Sequence, residues 1–299
     1  MHGQPDSLLT RLVLEAASLG ENNLTLPNSW FKIQTKRAEY FLDSDSIEGD
    51  LSCVYFGYEN NSGKTEIVLK LIREVKDNDL AQNEIRVLQY LQSRESSQRK
   101  HLPILLDQFK TDQGLIGLIF DRFDGYTLRD VRNNSLYKGG VMAEHMAWIF
   151  CRLLSVIGYA NKEGVIHGNI EPSNILIQPR DHNLCLLDWT AALINPAITN
   201  DGFKLFNPNY SAPEVKERRS PTPAADLYSA GKCMVYLLGG DIQTNRLPKS
   251  VDPRISLFLN YFLLPSPLQR AQDAWHLYAE LQNLRTEIWG EEKFLKFDW

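Results

Sequence analysis

The chain has 299 residues, 43% of them hydrophobic and 23% charged, and a net charge of −5. This length suffices for one large domain or two lobes with separate cores, and the acidic balance excludes a basic field for a nucleic-acid backbone. No stretch reaches the roughly 18 apolar residues of a membrane span. Four scattered cysteines form no disulfide or zinc pattern, and no secretory signal is seen, so we expect a cytoplasmic protein.

The predicted elements begin with an extension, residues 1–38, which carries an amphipathic helix at 5–19. Three strand-like runs follow between 39 and 73, then a helix over 78–92 and two strands near 103–110 and 114–121. Long helices at 144–163 and 224–238 flank a hairpin, NILIQPRDHNLCLLD. The tail WGEEKFLKFDW is expected to pack back on the helical part. This order predicts an α+β protein of two lobes.

One buried ion pair is predicted from periodicity. In TEIVLKLI the strand period places Lys70 among apolar neighbours whichever face is buried. On that strand alone, a lysine that reaches water along its stem is the simpler interpretation. On the next helix, however, Glu84 stands inside an apolar stripe that includes Leu80 and Val87. A buried carboxylate needs a partner, and Lys70 is the candidate.

A second constellation lies at one end of the predicted hairpin. Asn174 precedes the strand ILI, and Asp188 follows the strand LCLL, so a tight hairpin brings an amide oxygen and a carboxylate to the same end. Two hard oxygen ligands suit a magnesium ion that keeps water and phosphate oxygens as its other ligands. Loop capping by Asn and Asp is the alternative, and in isolation it is at least as common.

Six short motifs occur in an order that resembles the eukaryotic-type protein kinase domain. They are VLK at Lys70, NEIRVL at Glu84, HGNIEPSN at 167–174, DWT at 188–190, SAPE at 211–214 and DLYSAG at 226–231. The resemblance covers about residues 40–285. It implies a bilobal fold with a β-rich N-lobe, residues 39–123, that holds one main helix, a larger helical C-lobe, residues 124–285, and a C-terminal tail, residues 286–299. It also implies that Arg270 pairs with Glu214.

The resemblance implies roles for individual residues. Lys70 would hold the α- and β-phosphates of ATP and pair with Glu84, while Asn174 and Asp188 would bind Mg²⁺. Asp226 would tie the catalytic loop to the long central helix. Phe120 is similar to the gatekeeper, and the backbone of residues 121–123 would receive adenine. The nucleotide contacts implied in this way are Gly49, Ser52, Val54, Lys70, Phe120, Asp121 and Phe123.

The same comparison reveals departures from the kinase pattern. Asn169 stands at the position of the catalytic aspartate, and an amide can orient a hydroxyl but cannot accept its proton. Gly168 replaces the preceding arginine, and Glu171 replaces the lysine that contacts the transferred phosphate. Of the three glycine positions of the phosphate loop only Gly49 is a glycine, the others being Ile47 and Ser52, so the loop's hold on phosphate is weakened.

These departures predict a pseudokinase that binds ATP and Mg²⁺ weakly and acts through protein partners, not nucleic acid or membranes. General-base catalysis supplies about 10² to 10⁴-fold, so loss of the base alone leaves some activity. Similar loops occur in pseudokinase domains such as the regulatory domain of Janus kinases. One alternative is an active, atypical Ser/Thr protein kinase that transfers the γ-phosphate of ATP to a protein hydroxyl. Another is a small-molecule phosphotransferase, because HGN and LLDW resemble motifs of aminoglycoside and choline phosphotransferases, which lack SAPE and DLYSAG.

Overall fold

Strands dominate the first part of the chain and helices the rest, as the sequence predicts. The computed structural model describes residues 29–61, 65–291 and 293–299. The helix predicted at 5–19 lies outside these residues. The chain divides into a first unit, Met1–Gln82 with Ile104–Arg122, and a second unit, Asn83–Pro103 with Phe123–Trp299. The α+β, two-lobe prediction is confirmed.

The first unit is built on a six-stranded antiparallel sheet in the order β1-β2-β3-β4-β6-β5. Its strands are β1 Trp30–Gln34, β2 Glu39–Glu48, β3 Ser52–Glu59, β4 Glu66–Ile72, β5 Leu105–Lys110 and β6 Ile116–Asp121. Alternation along β4 buries Ile67, Leu69 and Leu71 on one face, which forms the core. The sheet is curled. Its two edges meet where the hydroxyl of Thr35, which follows β1, donates a hydrogen bond to Asp107 on β5 (2.5 Å).

Strand β1 lengthens the predicted sheet at its N-terminal side. Trp30–Gln34 falls in the segment that the sequence analysis assigned to the extension, yet it pairs along its whole length with β2. Phe31 is buried and packs edge-to-face against Tyr55, with ring centroids 5.4 Å apart. The run WFKIQ is too short for its period to stand out, and its burial depends on β2 and β3 being in place. The predicted domain boundaries themselves stay predictions.

The second unit is mostly helical. The helices of the described chain are α1 Asn78–Gln92, which begins in the first unit, α2 Leu128–Asn133, α3 Ala143–Lys162, α4 Pro196–Thr199, α5 Pro213–Lys216, α6 Ala224–Leu237, α7 Pro253–Phe262 and α8 Ala274–Trp289. Short strands are β7 Tyr126–Thr127, β8 Val165–Ile166, β9 Ile175–Gln178, β10 Asn183–Leu186 and β11 Leu193–Ile194. Helix α3 is the centre of the core, buried on nearly all sides and packed against α6 and α8.

A buried ion pair joins two segments of the second unit. Arg270 and Glu214, the pair that the resemblance implies, form a two-pronged ion pair (2.6 and 3.2 Å) whose side chains are almost completely buried. Helix α8 begins after Asp273, which caps it, and ends at Trp289, so it includes the first residues of the segment predicted as tail. No helix in the described ranges is long and apolar enough to cross a membrane.

Candidate functional site

The hairpin β9–β10 brings two predicted metal ligands to one end. Its register pairs Ile175 with Leu186, so the residues just outside the ladder lie side by side. The N–H of Leu187 donates to the carbonyl of Asn174 at 2.8 Å, which places Asp188 at the next position along the chain. The hairpin predicted from the sequence is therefore present, with Asn174 and Asp188 at its same end.

Asn169 contacts both of these residues. Its side-chain amide donates to Oδ2 of Asp188 at 2.7 Å, and its backbone carbonyl accepts a hydrogen bond from the amide of Asn174 at 2.9 Å. The other carboxylate oxygen of Asp188 accepts the hydroxyl of Thr190 at 2.9 Å. An ionised carboxylate has only acceptors, so the amide of Asn169 must present its NH₂ group to Asp188 and turn its oxygen elsewhere.

His167 holds the backbone of this loop. Its Nε2 lies 2.9 Å from the carbonyl of Leu187 and must donate, while its Nδ1 accepts the N–H of Asn169 at 3.2 Å. These contacts define a neutral imidazole protonated at Nε2. The ring packs against Trp189 at 4.5 Å between centroids. His167 thus acts as a spacer between the loop and the residues that follow β10.

Asp226, at the start of α6, binds the backbone of the same loop. Its two carboxylate oxygens accept the N–H groups of His167 (2.7 Å) and Gly168 (2.9 Å). Burial raises the pKa of Asp226 to about 6, while the two backbone donors pull the pKa down. Gly168 has a φ of +72°, and a Cβ there would lie 3.1 Å from the carbonyl of Ala191. Glycine suits this left-handed position.

Helix α1 clamps the segment that follows Asp188. Glu84 is buried, as predicted, and its Oε1 accepts the N–H of Trp189 at 3.1 Å. Asn83 donates through its amide to the carbonyls of Thr190 (2.9 Å) and Ala192 (2.8 Å). Trp189 is completely buried, and its indole donates to Leu186. Trp189 is therefore a core aromatic.

Asn83 is a residue that the sequence analysis missed. It lies three residues after Leu80 and four before Val87, so it shares the apolar stripe that singled out Glu84. The signal that found the carboxylate would have found the amide too. A neutral side chain draws less attention, because its burial costs less than that of a charge.

Glu171 also has a defined contact in the second unit. Its carboxylate accepts a short hydrogen bond from the amide of Asn207, in the segment before SAPE. Glu171 therefore connects that segment to the loop of residues 167–174. The negatively charged side chain that the sequence analysis identified at this position is held in place by Asn207.

In the first unit, three predicted nucleotide contacts share one face of the sheet. Val54 on β3 lies opposite Lys70 on β4, and Phe120 on β6 lies opposite Val68, two residues from Lys70. Directly paired residues point to the same side, so Val54, Lys70 and Phe120 all lie on the face away from Leu69. The pairing of Lys70 with Glu84 stays a prediction.

The turn between β2 and β3 stands where the phosphate loop is expected. The N–H of Gly49 donates to the carbonyl of Ser52 at 2.9 Å, which uses the amide of the one remaining glycine within the turn. Arg73 reinforces it, because its guanidinium donates to the carbonyl of Gly49 (2.9 Å) and its N–H to that of Leu51 (3.1 Å). The turn is therefore a closed hairpin in which the backbone N–H of Gly49 is already hydrogen-bonded within the turn.

The segment expected to receive adenine has donors in use as well. The N–H of Asp121 donates to the carbonyl of Ile104 (2.9 Å), and that of Arg122 to the carbonyl of Glu66 (3.2 Å). Neither amide is available to a base without breaking the sheet edge. Among the predicted contacts, the backbone of Phe123, where the chain enters the second unit again, remains the candidate donor.

The donor set at the hairpin end fits a magnesium ion. The amide nitrogen of Asn174 is used by Asn169, so its oxygen is the atom left to face a cation. The two carboxylate oxygens of Asp188 accept side-chain hydrogen bonds from Asn169 and Thr190, which orient the carboxylate at the hairpin end. Carboxylate and amide oxygens are suitable Mg²⁺ ligands, and the ion usually completes its shell with water and phosphate.

The sequence from residue 47 to residue 257 matches the family described as protein kinase domain. The chain belongs to this family. The serine/threonine-protein kinase pkn3 of Myxococcus xanthus is 26% identical over 243 residues, which cover 76% of this chain and 42% of that protein. Serine/threonine-protein kinase STE20 of Eremothecium gossypii is 25% identical over 278 residues, covering 83% of this chain and 27% of its own. The chain spans less than half the length of these relatives.

Three of the departures of this chain from the protein kinase pattern lie together in the loop of residues 167–174. Gly168 occupies a left-handed position and binds Asp226, Asn169 binds Asp188, and Glu171 binds Asn207. Each substituted residue is thus integrated into a hydrogen-bonded structure. The loop keeps the backbone anchors expected of a kinase domain and differs in the side chains that would handle charge.

Proposed function

We propose that this chain is a pseudokinase: a cytoplasmic protein kinase domain that binds ATP with Mg²⁺ weakly and acts through contacts with protein partners. The observation that carries the proposal is the 2.7 Å hydrogen bond from the amide of Asn169 to Asp188. At the position of the base, the group that faces the metal ligand is a donor, and the remaining amide oxygen has no useful basicity.

Two further features support low phosphate-transfer activity. The carboxylate of Glu171 places negative charge at the position where a kinase has a lysine, and Asn207 holds it there. In the turn at Gly49, the glycine N–H donates to the carbonyl of Ser52, so fewer backbone donors face a phosphate. Because phosphoryl transfer depends mainly on positioning and charge neutralisation, these features add to the loss of the base.

Weak nucleotide binding is supported by the residues that are kept. Val54, Lys70 and Phe120 share one sheet face, and Asn174 and Asp188 share one hairpin end. In this proposal Lys70 would neutralise phosphate charge, and Asn174 and Asp188 would hold a Mg²⁺ ion that supplies further positive charge. Saturating ligand at 100 times its dissociation constant stabilises a protein by about 2.7 kcal/mol. A thermal-shift titration with ATP, with and without Mg²⁺, therefore measures this part of the proposal directly.

An active, atypical Ser/Thr kinase is the second candidate. It is favoured by the contact of Glu84 with the N–H of Trp189 (3.1 Å), which keeps the residues around Asp188 in place. The relatives named above are called serine/threonine-protein kinases.

The decisive experiment measures γ-phosphate transfer by the purified protein, its Lys70→Met variant and its Asn169→Asp variant. The pseudokinase proposal expects wild type and Lys70→Met to be equally inactive. Transfer by wild type that Lys70→Met abolishes would overturn it. A gain of several orders of magnitude in Asn169→Asp over a silent wild type would show that the loop lacks only the base.

A further inference from the structure

The last residues of the chain form a strap, residues 293–299, that lies on the surface of the second unit. Phe297 is its central anchor, with 3% of its surface exposed, and it stacks on Tyr137 at 4.8 Å between ring centroids. It also forms a T-shaped contact with His145, with ring centroids 4.7 Å apart. One side chain of the strap is therefore fully inserted between α3 and the residues that follow α2.

Two further aromatic residues flank this anchor. Phe294 stacks on His182 at 4.5 Å, and His182 in turn stacks on Trp148 at 4.0 Å. Trp299 stacks on Tyr126 at 3.4 Å. The surface that receives the strap, its seat, consists of Tyr126, Tyr137, His145, Trp148 and His182.

The seat also binds the backbone of the strap. Nε2 of His182 donates to the carbonyl of Leu295 at 2.8 Å, and the hydroxyl of Tyr137 donates to the carbonyl of Asp298 at 2.6 Å. Hydrogen bonds to main-chain carbonyls do not depend on which side chains the bound segment carries. They require only that the segment be extended at these two positions.

Two charged side chains of the strap are largely exposed to solvent. Lys296 and Asp298 pair with each other at 2.8 Å, and their side chains are 83% and 66% exposed. The seat therefore recognises aromatic rings at three positions, spaced by three and then two residues, together with two backbone carbonyls. Any extended peptide with that spacing could make the same contacts.

The strap is held in a way that allows its release. Phe294 and Trp299 remain 64% and 44% exposed, so only Phe297 loses nearly all its contact with water on docking. The strap is joined to α8 through Gly290, whose φ of +80° and ψ of −150° are adopted almost only by glycine. Rotation at this residue would lift the strap and leave the seat intact, because the seat residues belong to α3 and to the strands and loops around it.

We propose that the seat is a peptide-binding site for an extended segment of a partner protein that carries aromatic residues with this spacing, and that the strap occupies it in cis until such a segment displaces it. This site requires neither nucleotide nor phosphate transfer, so it stands independently of the function proposed above.

The test uses the full chain and a fluorescein-labelled peptide, KFLKFDW, whose binding is followed by anisotropy. In wild type the tethered strap competes, and in Phe297→Ala the strap is weakened, so the peptide should bind the variant at least about tenfold more tightly. Adding Tyr137→Phe to that variant removes the donor to the peptide carbonyl and should weaken binding by about three- to tenfold. Lys296→Ala is the matched control in the strap and should behave as wild type.

Thermal melting shows first whether Phe297→Ala is folded. If it is not, the double variant Phe294→Ala/Trp299→Ala, which removes only half-exposed anchors, replaces it with the same expectation. Equal binding to wild type and the released variants, no binding to a folded released variant, or binding that Tyr137→Phe leaves unchanged would each overturn the proposal. A wild-type dimer in light scattering that Phe297→Ala dissolves would also overturn it, in favour of straps exchanged between two copies.

Discussion

Restoring a carboxylate at position 169 tests how the loop accommodates charge. Asn169→Asp replaces the donor to Asp188 by an acceptor at the same 2.7 Å separation. The lost hydrogen bond to a charged group is worth about 1.5–3 kcal/mol. Two carboxylates about 4 Å apart repel by about 4 kcal/mol at an effective dielectric constant of 20. Protonating one carboxylate at pH 7 costs about 4 kcal/mol, and the total destabilisation cannot exceed this value. We therefore expect the free energy of unfolding to fall by about 2–4 kcal/mol.

The assay is thermal unfolding of wild type and Asn169→Asp without divalent ions. For a domain of this size the loss corresponds to a Tm lower by about 5–15 °C. Repulsion raises the pKa of one of the two carboxyl groups in the folded variant. The loss of stability therefore grows as pH rises from about 4 to 7, and the melting temperatures of the two proteins should converge near pH 4. Mg²⁺ should recover part of the loss in Asn169→Asp but none in Asn169→Ala, which loses the hydrogen bond without adding charge. A variant that melts with wild type at pH 7, or a difference independent of pH, would refute this account.

Three further outcomes are expected. Asn83→Ala leaves the buried carbonyls of residues 190 and 192 without a donor and should lower the free energy of unfolding in urea by about 2–4 kcal/mol, whereas the exposed neighbour change Gln82→Ala should not. Arg270→Met strands a buried carboxylate and should cost about 3–5 kcal/mol, part of which returns when Glu214→Gln is added; no recovery in the double variant would mean that the charge is not the cause. Burial holds the pKa of His101 at about 4, below the ordinary 6.5, so the unfolded chain takes up the proton first and stability should fall by up to about 3 kcal/mol between pH 6.5 and 4. His101→Gln should flatten that part of a pH profile of urea midpoints, and an unchanged profile would contradict the assignment.

The strands and long helices could be predicted from the sequence because their periods are strong. Alternation along β4 and the stripe on α1 depend only on local backbone geometry, which repeats every two or 3.6 residues. The extra strand β1 could not be predicted in this way. Five residues carry too little periodic signal, and Phe31 is buried only because Tyr55 of β3 is folded against it.

For the candidate site, the motifs proposed which positions matter, and these roles stay predictions. The burial of Glu84 followed from its place on a helix. The contact of Glu171 with Asn207 joins residues 36 positions apart, and the strap on His182 joins residues more than a hundred apart. Such contacts have no local signal, because they depend on how loops between the elements are laid over one another.

The sequence by itself determined the fold class, the family resemblance and the fact that position 169 carries an amide in place of a carboxylate. These follow from residue identity, period and motif order, which are properties of the chain alone. Only the tertiary structure decided what that amide does: it donates to Asp188, with its orientation set by an acceptor 19 residues away. A hydrogen bond has direction, and its partner is known only when both segments are in place.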